Sequence, residues 1–332
     1  MKRKLSHFFN SLWYEKPSHS LLTFLFLPFS MFYRGVMRLR RFFYQRGIFK
    51  TTHFPVPVIV VGNITVGGTG KTPLVIALAR ALTEKGYRVG IVSRGYGGKK
   101  SSLPRHVSSA ADPEEVGDEA ILLTQKTECP VIVGVTRVEA VKKLLNEFNV
   151  NLIISDDGLQ HYALGRTLEI AVMDGMRRLG NEHCLPAGPL REPASRLKTV
   201  NYVVVNSGQP LGHEYGMTLV PEAICSLIDP SQKVQVEDLS QGPVHAVAGI
   251  GNPDRFFKSL LEMGLTIIPH VYPDHHRFCL ADIDFGEGHV VMTEKDAVKC
   301  LTFSDWRHTF LPVEAKLDSH FFRELYEDLR SG

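Results

Sequence analysis

The sequence predicts a doubly wound α/β fold, a parallel sheet with helices on both faces, on three observations. Short Val- and Ile-rich runs (PVPVIVV from Pro55, YRVGIVSR from Tyr87, CPVIVGV from Cys129, LEIAVMD from Leu168, NYVVVN from Asn201) alternate with stretches of helical periodicity such as RVEAVKKLLNEF. These runs are almost continuously apolar, as strands buried on both faces are. The first leads into GNITVGGTGKTP, a glycine-rich turn, and then into TPLVIALARALTEKG, a helix pattern that stops at Gly86. Strand, turn and helix in that order are the building unit of such sheets.

The 332 residues divide into four stretches. Residues 1–50 are basic and aromatic. Residues 51–207 carry the alternating strands and helices. Residues 208–242 are polar with Gly and Pro and read as a connector, with a short β element in MTLVPEAICSLI. Residues 243–332 open with a new strand, HAVAGI, a turn capped by Asn252 or Asp254 and a helix, RFFKSLLEMG. They form a second, smaller α/β domain closing a cleft. The five cysteines (Cys129, Cys184, Cys225, Cys279, Cys300) are scattered without a C-x-x-C pair, which argues against a disulfide framework or zinc site and fits a reducing compartment.

The net charge of +3 conceals an asymmetry. Residues 1–50 hold ten Lys and Arg (Lys2, Arg3, Lys4, Lys16, Arg34, Arg38, Arg40, Arg41, Arg46, Lys50) against Glu15, a net +9, and 13 of the 31 aromatics. The rest holds 28 basic against 34 acidic residues, a net −6. The apolar run Leu21–Tyr33, broken by Pro28, is shorter than the roughly 20 residues a span requires. The arginines that follow exclude a cleavable signal. RGVMRLRRFFYQRGIF alternates basic and bulky apolar groups, as a helix lying among lipid headgroups does. The expectation is a membrane-associated N-terminal helical segment. The competing reading is a helical hairpin packed on the protein's own body with its arginines solvated. Nucleic acid is not expected as a partner, because the basic cluster is continuous with the apolar run, and no obligate protein partner is indicated.

The glycine-rich turn ends in GKT, as a phosphate-binding loop (P-loop) does, yet Thr65 stands where the strict pattern G-x-x-x-x-G-K-[ST] has glycine. The surrounding strand and helix favour a working cradle. The helix N-terminus offers free N–H groups and the positive dipole end, and Gly67, Gly68 and Gly70 let the backbone approach phosphates closely. Residues Thr65, Val66, Gly67, Gly68, Thr69, Gly70, Lys71 and Thr72 are the expected nucleotide-binding set. Lys71 reaches the phosphates and the Thr72 hydroxyl ligates Mg²⁺. About 85 residues on, NVNLIISDDGLQH places Asp156 and Asp157 at the carboxyl end of another strand, facing the same crevice. One of them is the expected partner of Mg²⁺ or its water shell. An Asp-Asp-Gly after a strand is otherwise an ordinary turn.

Eight segments then occur in one order: VGNITVGGTGKTP, SRGYGG (Ser93–Gly98), VGDEA (Val116–Ala120), SDDGLQHYALGR (Ser155–Arg166), LPAGPLREPASRL (Leu185–Leu197), AGIGNPDRFF (Ala248–Phe257), PDHHRF (Pro273–Phe278) and MTEKDAVK (Met292–Lys299). Together they resemble the tetraacyldisaccharide 4'-kinase family over nearly the whole chain. In that family the loop typically begins with Ser or Thr, which accommodates Thr65. The resemblance implies ATP and Mg²⁺ as cofactors and phosphorylation of the 4'-hydroxyl of an acylated glucosamine disaccharide 1-phosphate to lipid IVA. It also implies a monotopic location on the cytoplasmic face of the inner membrane.

The resemblance also implies an aspartate–histidine pair, matched by Asp118 and His275, either of which could take the proton from the attacking hydroxyl. They belong to different domains and can meet only across a cleft, so closure would assemble the site. VGDEA by itself is equally a helix start with acids at its positive end. His276 is the fallback for His275, and a metal pair at Asp274–His276 lacks a third ligand at suitable spacing. Glu192 resembles an additional acid near the metal, or else pairs with Arg191 or Arg196 on the surface. Arg137 and Gln160 match polar positions near the nucleotide, and Tyr96 one near the sugar. MTEKDAVK, with Thr293 as a good helix cap, reads as chiefly structural. The alternative function is a membrane-associated P-loop ATPase acting as a targeting or switch module. It would hydrolyse nucleotide without the glycolipid acceptor, and no N-K-x-D guanine-reading segment is present to suggest a GTPase.

Overall fold

The structure, a computed structural model, describes residues 8–9, 11–15, 21–99, 101 and 103–331. Lys2, Arg3, Lys4 and Lys16 of the basic N-terminal stretch lie outside them.

Fourteen strands among the described residues form two sheets. The strands in chain order are β1 (Val58–Gly62), β2 (Val89–Ser93), β3 (Arg105–His106), β4 (Val131–Val133), β5 (Leu152–Ser155), β6 (Leu168–Asp174) and β7 (Tyr202–Asn206). There follow β8 (Glu214–Pro221), β9 (Cys225–Ser226), β10 (Val244–Ala248), β11 (Ile267–Val271), β12 (Val290–Thr293), β13 (His308–Leu311) and β14 (Val313–Leu317). The larger sheet has the order β14-β8-β7-β6-β1-β5-β2-β4-β3. From β4 to β8 every pairing is parallel, and only β3 and β14 run antiparallel at its edges. The smaller sheet, β11-β10-β12-β13-β9, is parallel except for edge strand β9.

Residues of β1 alternate between two cores. Ile59 and Val61 face the core completed by Leu74, Leu78 and Leu82 of the Lys71–Glu84 helix. Val58 and Val60 face the one completed by Val141 and Leu144 of the Arg137–Glu147 helix. That two-sided burial is why the strand reads as uninterrupted Val and Ile. After β1 the chain builds outward through β2 and β4. It returns at β5 and then builds the other way from β6, so the order reverses at β1, where ligands bind in open sheets of this kind.

Sheet membership does not follow the linear division at 242/243. The connector supplies β8 to the larger sheet and β9 to the smaller, and the chain returns at its end to give β14 to the larger sheet. The closing Ser319–Ser331 helix buries Phe321, Leu325 and Leu329 in the larger sheet's core, at the spacing of one helical face. The two units are therefore crossed twice by the chain.

Among the described residues the leader has a short helical turn, Ser11–Glu15, and one long helix, Leu21–Gln45, with Pro28 inside it. Among the described residues no helix is long and apolar enough to cross a membrane. Its polarity is inverted relative to an ordinary surface helix. Thr23 and Ser30 are buried against the body, while Leu21, Leu25, Phe29, Phe32, Val36 and Leu39 form an exposed stripe at helical spacing.

Candidate active site

The Gly62–Gly70 loop is drawn taut between two supports. Thr65 pairs with Leu190 as an antiparallel bridge, the Val66 N–H donates to Pro189 O (2.9 Å) and the Arg191 N–H to Ile64 O (2.7 Å). Thr65 is not among the residues with positive φ, so a side chain at this position is unstrained and glycine is not required. The same pairing commits the Val66 amide, so Thr65 and Val66 frame the cradle. Its free donors, among the described residues, are the amides from Gly67 to Thr72. At the other end Gly70 caps the Lys71–Glu84 helix at φ 94°, and Asn206 Nδ2 donates to the neighbouring Thr69 O at 3.1 Å. Asn206 was not singled out in the sequence because it closes an ordinary apolar strand.

The carboxyl end of β5 delivers Asp156 and Asp157 beside this cradle. Asp157, at φ 47°, lies 3.6 Å from Lys71 Nζ and 3.3 Å from Arg191 Nη1. Burial pushes its carboxyl up, but Lys71, Arg191 and Arg137 together hold it below the ordinary range. Asp156 is fully buried. Ser93 Oγ donates to its Oδ2 at 3.2 Å, and its Oδ1 has no hydrogen-bond partner. Burial, helped by the charges of Glu119 and Asp157, pushes Asp156 up to about 7 against the pull of Lys71 and Arg137. A buried carboxylate oxygen without a partner is what a cation site requires.

Three residues expected at the nucleotide or metal, Arg137, Gln160 and Glu192, are engaged by protein partners. Arg137 is buried behind the turn, with Nη2 donating to Asp156 O (3.0 Å) and Nη1 to Gly134 O (3.1 Å). Burial lowers its guanidinium to about 10, and its hydrogen bonds hold the acidic turn from behind. Glu192 has both oxygens engaged. Oε1 accepts from Gln160 Nε2 at 2.8 Å, Oε2 accepts from Tyr162 OH, and Arg196 Nε lies 3.6 Å from Oε2. Gln160 also donates to Asn63 O at 3.1 Å, so it braces the start of the loop. Among the described residues no three His, Cys, Asp or Glu side chains converge to hold a metal. The surface ion pair imagined for Glu192 is in fact a buried pair with Arg196, while Arg191 turns to Asp157.

Across the cleft the second unit closes onto the first. An added Cβ on Gly251 would lie 3.1 Å from Gly68 N, so the loop after β10 sits against the phosphate cradle. Beside it, His275 Nδ1 is 3.1 Å from both oxygens of Asp118. Asp118 is buried at the start of the Asp118–Thr127 helix. Burial raises its carboxyl, and the His275 hydrogen bond with the charges of Lys295 and Lys299 outweighs that and lowers it. For His275 burial pulls down and Lys295 repels, but Asp118 and Asp274 win and raise it. Tyr96 packs against the imidazole (ring centroids 4.7 Å), and the backbone of Gly97 (φ 88°) passes so close that an added Cβ would lie 3.6 Å from Nδ1. His276 points elsewhere: its Nε2 lies 3.1 Å from Asp282 Oδ2 and its ring stacks on Tyr272.

MTEKDAVK is more than a cap. Thr293 does accept from Asp296 N, and buried Asp296 also receives the Gly249 amide at 2.7 Å. Lys295 and Lys299 reach the aspartate–histidine pair (Lys295 Nζ to His275 Nε2, 3.4 Å; Lys299 Nζ to Asp118 Oδ2, 3.8 Å). Nothing in their spacing signals this, since both lie on the helical turn that follows β12 in the other unit.

The leader helix is fastened beside the same region. Ser30 Oγ donates to Cys184 O (2.7 Å), Tyr33 OH to Arg191 O (3.0 Å) and Arg40 Nη1 to Gln160 O (2.9 Å). Its inner face therefore grips the two segments that support the cradle.

Known proteins resemble the chain in sequence and in fold. The chain is 49% identical over 322 residues to a tetraacyldisaccharide 4'-kinase of Legionella pneumophila strain Corby, covering 97% of each chain. It is 48% identical over 311 residues to the enzyme of that name from Nitrosococcus oceani, covering 93% of this chain and 90% of the other. Its fold matches a crystal structure of LpxK from Aquifex aeolicus in complex with ATP, with a TM-score of 0.78 and 29% identity over 93% of this chain and 99% of that one. Residues 22–330 match the LpxK family, tetraacyldisaccharide-1-P 4'-kinase, and the chain belongs to that family.

Proposed function

We propose that the protein transfers the γ-phosphoryl group of ATP to the 4'-hydroxyl of an acylated glucosamine disaccharide 1-phosphate, giving lipid IVA in lipid A biosynthesis. Family membership supports the reaction, and one observation carries the assignment of residues to it. Asp118 and His275, from two units, meet at 3.1 Å beside the cradle whose free amides run from Gly67 to Thr72.

Phosphoryl transfer demands positioning and charge neutralisation more than covalent help from the protein. The amides at the start of the Lys71–Glu84 helix grip the triphosphate, with the helix dipole behind them. Lys71, now held by Asp157, moves its ammonium onto the phosphates as the nucleotide arrives. Mg²⁺, when bound, would be held by the Thr72 hydroxyl and a carboxylate at the end of β5, and it would neutralise charge on the phosphoryl oxygens. The fit rests on the partnerless Asp156 Oδ1. Arg191 and Lys71 keep Asp157 ionised, and Arg137 fixes the turn that aims both carboxylates.

The acceptor hydroxyl loses its proton to the Asp118–His275 pair. Because the two members come from different units, the pair exists only when the cleft is shut, which couples proton removal to exclusion of water. Tyr96, packed against the imidazole and otherwise exposed, would border the sugar of the acceptor.

The outer stripe of the leader helix carries the membrane part of the proposal. Six apolar side chains from Leu21 to Leu39 face solvent on a helix whose inner face grips the site's supports. Buried in the headgroup boundary of the inner membrane's cytoplasmic leaflet, they would hold the cleft at the depth where the glycolipid presents its sugar.

The test is transfer of ³²P from ATP to the disaccharide 1-phosphate, followed by thin-layer chromatography, for wild type and Lys71→Ala. The variant is expected to lose on the order of 10²-fold or more in rate, as active sites do on losing an electrostatic clamp. Equal rates for the two proteins would overturn the nucleotide assignment.

A further inference from the structure

Lys295 belongs to no part of the reaction assigned above, yet its ammonium stands at the junction of both units. Its three N–H donors have three acceptors: Glu119 Oε1 of the first unit at 3.0 Å, Asp274 Oδ1 of the second at 3.2 Å, and His275 Nε2 at 3.4 Å. Only 19% of the side chain is exposed. An ammonium has donors and no lone pair. The nitrogen facing it must therefore offer its own lone pair, and the proton of the neutral imidazole must sit on Nδ1, pointing at Asp118.

On the kinase reading, we infer that Lys295 is a positioning residue of the transfer site, tying Glu119 to Asp274 across the cleft and fixing the tautomer in which His275 meets Asp118. With Nδ1–H donated to the carboxylate, Nε2 is the basic nitrogen, and Lys295 holds it in one orientation until the acceptor is seated. Lys299 does not duplicate the role. It lies against Asp118 and Asp296 and over the Phe278 ring.

The charged and titratable groups facing His275 are Asp118 from the Asp118–Thr127 helix, Lys295 and Lys299 from the segment after β12, Asp274 from its own loop, and the Tyr96 phenol. Of these Lys295 opposes a second proton on the imidazole most directly, and it also favours the ionised form of Asp118. Its loss raises the proton affinity of both members of the pair, so the direction of the effect is the same whichever one takes the proton.

The experiment is the pH profile of kcat for ³²P transfer in wild type, Lys295→Met and Lys295→Arg. Lys295→Met is expected to move the acid limb upward by about one pH unit and to lower kcat more than it raises KM for ATP. Lys295→Arg keeps the charge and is expected to return the limb to the wild-type position while kcat stays reduced, because a planar fork does not satisfy three acceptors placed around a point. An unmoved limb in Lys295→Met overturns the inference and leaves the kinase reading intact. A wild type that transfers no phosphate overturns the kinase reading itself. A measurement on the wild type covers a methionine variant that fails to fold. The imidazole ¹⁵N shifts of His275, assigned by difference from His275→Gln, are expected to show a protonated Nδ1 and a bare Nε2 in the neutral form. The reverse tautomer sinks the proposal.

Discussion

Gly70→Ala is the sharpest test of the cradle's construction. Gly70 caps the loop helix at φ 94° and ψ 24°, in the left-handed region where an alanine is disfavoured by roughly 1–2 kcal/mol. The added Cβ would also stand 2.4 Å from Asn206 Nδ2 and 3.1 Å from Met217 Cε. The amide must then swing away and give up its 3.1 Å bond to Thr69 O, a further 0.5–1.5 kcal/mol or about that. The two effects act on the same turn, so a loss of about 1.5–3.5 kcal/mol is expected in the protein without nucleotide. Gly68→Ala is the control: its φ is not positive and its Cβ would meet nothing within 4 Å, so its unfolding should stay within about 0.5 kcal/mol of wild type. Urea unfolding of the three proteins reads the difference as a shift in midpoint at constant slope. Equal midpoints for Gly70→Ala and Gly68→Ala would refute the claim that backbone shape and the Asn206 brace, rather than glycine content, define the cradle.

Two further outcomes are expected. The Asp118–His275 pair makes stability depend on pH in a defined window. His275 is raised above its ordinary 6.5, so its contribution is full below that value and fades as pH rises through the raised one. Asp118 is lowered below its ordinary 3.8, so its contribution is present above that value and fades as pH falls through the lowered one. The urea midpoint of wild type relative to His275→Gln should therefore be greatest between the two ordinary values, and a difference that does not vary with pH would contradict the pair. Deleting residues 1–33 removes much of the exposed stripe and the Ser30 and Tyr33 contacts. It is expected to release the protein from anionic vesicles in sedimentation and to raise KM for the glycolipid while ATP binding survives. Unchanged KM with wild-type partitioning would count against the leader's role.

Legibility of the sequence followed the range of the interactions. β1, its loop and the helix after it were readable because their periodicity and glycine spacing are local. Asp156 and Asp157 were readable because a strand's carboxyl end has a fixed meaning in an open parallel sheet. The unit boundaries were harder. β8, β9 and β14 trade partners between the sheets, and a strand's pattern records how deeply it is buried without naming the neighbour that buries it. The partners of Glu192 were not readable, because a carboxylate's residue type does not say which donors will reach it. Gln160 and Tyr162, some thirty residues upstream, take both its oxygens. Asn206, Lys295 and Lys299 escaped for the same reason: each acts on a group brought near only by the tertiary fold.

The two strained residues of the site show why those long-range contacts cannot be dispensed with. Asp157 at φ 47° and His275 at φ 58° both hold a backbone shape that non-glycine residues adopt rarely, and each arises in a different unit. Each is over-determined by neighbours from elsewhere in the chain. Lys71, Arg191 and the guanidinium of Arg137 fix the Asp157 turn, and Asp118, Lys295 and the Asp274 carboxylate beneath the His275 amide fix the other. Strain of this kind persists only while its supports are in place. For His275 the supports are split between the two units, so separating them leaves its conformation without Asp118 and leaves Lys295 without Glu119. On the proposed assignment, opening the cleft would therefore unmake the pair, so that readiness of the base and exclusion of water from the cradle would be coupled.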